Sequence, residues 1–109
     1  MPVSFPNFSD AGIAAGRVNL CPAVPAGHQY VCTGLVISNN DAAPQSVVIE
    51  RFNGTKFVKL HGGLTILAGQ AFLFPGDGGK LNLAPGQYIA LTPSKAGVFD
   101  FDLNVMDQS

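Results

Sequence analysis

Two histidines, two cysteines and a file of oxygen-bearing side chains near the C-terminus are the groups in this 109-residue chain that could do chemistry. His28 and His61 could serve as bases, but a base needs a nucleophile, an orienting acid or a metal partner close by. Neither falls in an H-x-x-x-H or C-x-x-C spacing, so both read as surface or ordinary hydrogen-bonded residues. Asp100, Asp102 and Asn104 line one side of an extended segment and raise the idea of a calcium site. Alternate strand residues stand about 6.5–7 Å apart, so the three cannot close on one ion without a second loop. A solvated strand face is expected instead. Asp77, within Pro75-Gly76-Asp77-Gly78-Gly79, lacks the alternating ligands and closing Glu of an EF-hand loop. Gly76-Asp77-Gly78-Gly79-Lys80 carries the glycines and lysine of a phosphate cradle, but Leu81 and a strand follow it, not Ser or Thr and a helix. The residues assign no catalytic group, no cofactor and no metal site, and no enzyme is expected.

Stacking is the remaining local chemistry. Eight Phe and two Tyr occur with no Trp, and Phe72, Phe74, Phe99 and Phe101 stand at core spacing. Tyr30, Tyr88, Phe52 and Phe57 are left as candidates for an exposed platform that could stack a sugar or a base. Cys21 and Cys32 bracket a ten-residue connection that a disulfide could close, but in a reducing compartment they are expected to be two small buried thiols.

The elements that would carry these residues are strands. Phe99, Phe101, Leu103 and Val105 alternate with Asp100, Asp102, Asn104 and Met106, which makes a strand with one dry and one wet face. Upstream, strands are expected over residues 13–20, 28–38, 45–52, 56–61, 64–74 (one bent or two short), 80–83 and 87–92. Turns at Val24-Pro25-Ala26-Gly27, Leu67-Ala68-Gly69-Gln70 and Ala84-Pro85-Gly86-Gln87 separate several of them. Asn53-Gly54 signals a tight hairpin of type I′, and Gly62-Gly63 is expected to end the strand it opens. The 28–38 strand is apolar on both sides, which predicts a central position covered on both faces. About eight strands at this spacing predict an all-β chain: a single antiparallel β-sandwich or jelly roll. The echo between residues 68–74 and 85–91 is one turn-to-strand solution used twice, not a solenoid repeat.

Residues 1–12 stand apart from the 13–109 domain. Pro2 and Pro6 oppose helix, and Val3, Phe5 and Phe8 have no period, so an extended arm is expected. Burying each bulky side chain is worth about 1.5–3 kcal/mol relative to exposure, so the arm should dock. It could lie as an edge strand on its own domain, or on a neighbouring subunit or another protein; Val3, Phe5, Pro6 and Phe8 are its candidate partner-binding residues. Charged residues make up only 12% of the chain and the net charge is −1, which suits a surface that meets other protein. Six scattered basic residues argue against nucleic acid as a partner. No apolar run approaches 18 residues, so no membrane-spanning helix is expected, and Met1-Pro2-Val3-Ser4 lacks the pattern of a secretory signal, which predicts cytoplasmic synthesis and folding.

The succession Cys21-Pro22-Ala23-Val24-Pro25-Ala26-Gly27, Val31 to Asn39, Leu67-Ala68-Gly69-Gln70, Leu81 to Ile89 and a final alternating strand resembles small β-sandwich virion proteins of tailed bacteriophages. The resemblance spans about residues 20–107 and is closest in layout to decoration, cement or tail-accessory modules, some of them jelly rolls bound outside the capsid shell. It implies a protein made in the host bacterial cytoplasm and placed on the outer capsid surface of the virion. Its implied partners are the major capsid protein and itself, as a dimer or trimer. A tail, baseplate or fibre-associated module is the alternative within the same resemblance, and a carbohydrate-binding module is the alternative outside it.

Overall fold

The structure is a computed structural model that describes residues 3–75 and 80–109. All its regular elements are strands: β1 (Val3–Ser4), β2 (Asn7–Asp10), β3 (Val18–Asn19), β4 (Gln29–Asn39), β5 (Gln45–Phe52), β6 (Phe57–Ile66), β7 (Ala71–Phe74), β8 (Leu81–Leu83), β9 (Tyr88–Pro93) and β10 (Phe99–Gln108). They form two antiparallel sheets. In the first, β10 and β4 pair at the centre, β1 and β2 both flank β10, and β7 and β8 both flank β4. The second runs β3-β9-β5-β6. β1 with β2, and β7 with β8, each occupy one strand position, so the ten strands fill eight places in two four-membered layers. From β2 through β5 and again from β6 to β7 and from β8 to β10, each connection crosses between the sheets, which is the wrapping of a jelly roll.

The alternation in β10 becomes the floor of the core. Phe99, Leu103 and Val105 are essentially fully buried and Phe101 nearly so, while Asp102 and Asn104 face outward. Leu35, Ile37 and Cys32 of β4 lie beside them and meet Val47, Ile49, Ile89 and Leu91 from the second sheet. One irregularity sets the register. Asn104 opposes Gly34 and Val105 opposes Cys32, so Thr33 is a bulged residue, and its Oγ1 donates to the Asn104 carbonyl at 3.2 Å.

The expected turns close as backbone hydrogen bonds: His28 N donates to Pro25 O at 3.1 Å, Gln70 N to Leu67 O at 3.0 Å and Gln87 N to Ala84 O at 3.0 Å. Gly27 and Gly86 take the positive φ that those turns require. Three details differ from the sequence expectation. Of the 13–20 segment only Val18–Asn19 is a strand, because Ile13 instead bonds to Phe99 at the start of β10 and Leu20 to Ile89 of β9. Gly62-Gly63 does not stop β6, which continues to Ile66 by absorbing register shifts against Val47, Ile49 and Glu50. The Asn53-Gly54 hairpin is present but spans four residues, not two: Asn53 Oδ1 accepts from both Thr55 N and Lys56 N at 3.0 Å, and Phe52 pairs with Phe57. Residues 76–79, including Asp77 and most of the glycine-rich segment, lie outside the described residues, as do Met1 and Pro2 of the arm.

Candidate interaction surfaces

The polar groups singled out in the sequence are spread over the sandwich. Asn7 Nδ2 donates to Asp102 Oδ1 at 2.6 Å and to Asn104 Oδ1 at 2.9 Å, and Asp100 Oδ1 accepts from Gly12 N at 2.8 Å. The wet face of β10 therefore uses its oxygens to tie down residues 7–12. Among the described residues, no three His, Cys, Asp or Glu side chains gather as a metal site. His61 lies on edge strand β6, where its Nδ1 is 3.4 Å from Gly63 N. His28 Nδ1 is 2.9 Å from Asp107 Oδ1, beside a cleft of about 380 Å³ lined by Gly27, Gln29, Ala84, Pro85, Gln108 and Ser109. An acid-held imidazole is half of a catalytic pair, but no hydrogen bond joins it to Ser109, the one hydroxyl in the lining.

Cys21 and Cys32 are free thiols in the core, and neither is poised for reaction. Burial pushes the Cys21 thiol up and the Cys32 thiol up to about 11, so both stay protonated near neutrality. Burial also raises the Tyr30 hydroxyl, with the Asp107 carboxylate adding to the effect. Asp41 is shifted the other way: hydrogen bonds from Gln45 and then Lys95 hold its carboxyl below the usual range.

The arm folds onto its own domain. Val3 and Ser4 pair with Gln108 and Asp107, Asn7 to Asp10 pair with Asn104 to Phe101, and Val105 N donates to Pro6 O between the two stretches. Its four candidate residues divide. Phe8 packs against the core with its ring 6.3 Å from that of Tyr30, and Pro6 is half-buried. Val3 and Phe5 remain outside, 48% and 75% exposed. Proline at Pro6 explains the break: it has no N–H to give to a ladder, so the strand interrupts there and Phe5 swings free of the pleat.

Of the four aromatic candidates, three come together on the outer face of the second sheet. Phe52 and Tyr88 stack with centroids 5.1 Å apart, and Phe57 stands 5.1 Å from Phe52. The guanidinium of Arg17 lies 3.7 Å above the Phe57 ring, and its Nε and Nη2 reach the two oxygens of Glu50 at 3.1 and 3.3 Å. Glu50 is only 6% exposed. Ring faces are thus turned to one another and to Arg17, which makes the group a clamp that pins the segment before β3 to the sheet. Tyr30, the fourth candidate, is buried in the core.

Sequence reasoning did not single out Arg17, Glu50 or Asn39. Asn39 is fully buried: its Nδ2 donates to Ala43 O and Ile66 O, and its Oδ1 accepts from Asp41 N. Its place in Asn39-Asn40-Asp41 reads as loop composition, and the only available signal was that it closes an alternating strand. No protein-family model matches the chain, and no curated protein is significantly similar to it.

Proposed function

We propose that this protein is a structural virion component of a tailed bacteriophage, a decoration or cement protein that binds the outside of the major capsid protein shell and stabilises it. The observation that supports this reading most is the divided arm: the edge strand that anchors it also holds Phe5 and Val3 outward, with three quarters of Phe5 and about half of Val3 left uncovered by the domain. A pair of greasy side chains held on a tethered edge suits a second protein surface, with main-chain pairing available beside it. A sparsely charged chain folded as a two-sheet sandwich is in keeping with a surface that meets other protein.

The test is a Val3→Ser/Phe5→Ser double variant mixed with shells that lack the protein. Both side chains are exposed, so the variant keeps its melting temperature, and its binding weakens by a factor of at least about ten, the equivalent of about 1.4 kcal/mol. Unchanged binding to the shell removes the arm from the mechanism. Binding to tail particles and not to shells assigns the protein to the tail.

A further inference from the structure

We propose that the outer face of the sheet centred on β10 and β4 is covered by a second copy of this chain, which lays across it the outer face of its own β3-β9-β5-β6 sheet. The first observation is that β4 is apolar on both sides. Ile37, Leu35 and Cys32 point into the core, and by register Val31 and Val36 point out, beside Met106 of β10 and Leu73 of β7. Leu73 is 57% exposed and Val36 and Met106 are half-buried, whereas Val31 is buried at 8%; the two sheets account for every strand of the described residues, so no third layer of strands stands over Val36 and Leu73. The sequence predicts a covered face, and among the described residues no strand covers its Val36 and Leu73 portion.

The second observation is a segregation of charge that names the cover. Strand residues of this sheet include Asp10, Asp100, Asp102 and Asp107 and no Lys or Arg. Asp100 and Asp102 point outward. On the opposite sheet Lys59 is the strand cation on the outer side, since Arg51 lies opposite the core residue Ile89 and so turns inward, and Arg17 precedes β3; the only acid in those strands, Glu50, is sealed beneath Arg17. Lys59 is exposed, opposite Glu50 in the ladder.

Two copies meeting through the acidic face alone would set Asp100 and Asp102 against themselves, which like-charge repulsion disfavours. Acidic face on basic face instead sets those carboxylates toward Lys59 and Arg17, and the adjacent Val36 and Leu73 side chains toward the Phe52, Phe57 and Tyr88 cluster. Such a contact is heterologous, since different patches of the two copies meet, and it builds a ring or a stack. It does not depend on the shell reading, because the isolated protein is enough to test it.

The experiment is sedimentation velocity on the purified full chain and on two variants, L73K and K59E, with circular dichroism melts to show that each is folded. Both side chains are exposed and neither makes a side-chain hydrogen bond that folding requires. The unaltered chain associates at low salt, and added salt weakens the association. Each variant alone associates about tenfold more weakly. Mixing them restores association, because the K59E copy keeps an unaltered acidic face and the L73K copy an unaltered basic one, so one native junction re-forms. A71K, on the same outer face, replaces L73K if that variant does not fold. A chain that stays monomeric at low salt, an association that ignores K59E, or a mixture no tighter than its components overturns the proposal.

Discussion

Arg17 holds together more of this molecule than its exposed position suggests. Its guanidinium caps Phe57 and reaches both oxygens of Glu50, so one side chain serves a ring, a buried carboxylate and the start of β3. Removing one partner of a buried ion pair leaves the other charge without compensation, which costs 3–5 kcal/mol in a dry interior. Here the Arg17 side chain is 44% exposed and that of Glu50 only 7%, so water can reach one partner and hardly the other. Arg17→Met is therefore expected to lower stability by about 1–3 kcal/mol in urea unfolding. The double variant Arg17→Met/Glu50→Met should recover most of that loss, since two apolar side chains leave no orphaned charge. A single variant as stable as the parent chain would mean that Glu50 is already solvated and that Arg17 clamps nothing.

Among the strands, what could be seen in the sequence follows from how locally each is specified. β10 declares itself through period-two apolar residues, β5 through the Val47-Val48-Ile49 run before the Asn53-Gly54 turn, and the turns at Gly27, Gly69 and Gly86 through a residue type that tolerates positive φ. β3 does not, because the partners of residues 13–20 are split between β10 and β9, and only the assembled sandwich decides which stretch is a ladder. Gly62-Gly63 looked like a stop because glycine is weak in a strand, yet the pair supplies the slack that lets β6 slip register against β5. The surfaces were legible only in part. Phe52, Phe57 and Tyr88 stood out as spare aromatics, but their meeting with Arg17 depends on strand order, and so does the parting of charge between the sheets. The arm illustrates both sides: its apolar residues called for docking, and which surface receives them is a tertiary matter. Phe8 is its anchor, so Phe8→Ala should destabilise the domain by about 2 kcal/mol, below the value for a fully buried Phe because its ring is only partly covered. Thermal melts compared with those of the Val3→Ser/Phe5→Ser variant, which should be unchanged, check the division of labour along a single strand position. An equal loss in both variants would show that Val3 and Phe5 also serve the fold.

As a body of 46 × 26 × 22 Å with its two thiols sealed inside, the molecule offers a neighbour its faces and edges. Work of that kind gains from repetition. One modest contact through Val3 and Phe5 could not hold a shell, but the same contact repeated over a lattice acts as multivalent attachment, in which each bound copy resists the separation of the units beneath it. Any molecule that binds the assembled state and not the dispersed one also shifts the equilibrium toward assembly, by an amount set by its concentration relative to its dissociation constant. Under the proposed function, then, shells carrying the protein should rupture at a higher temperature than shells without it, and the increment should grow with the fraction of sites filled. Shells saturated with the Val3→Ser/Phe5→Ser variant should rupture at an intermediate temperature, since the sandwich body still occupies the surface while its arm grips less. Following genome release on heating by dye fluorescence, across a titration of added protein, measures this directly. A rupture temperature indifferent to occupancy would leave the protein bound to the shell without cementing it, because a ligand that favours the closed state must raise the temperature at which that state is lost.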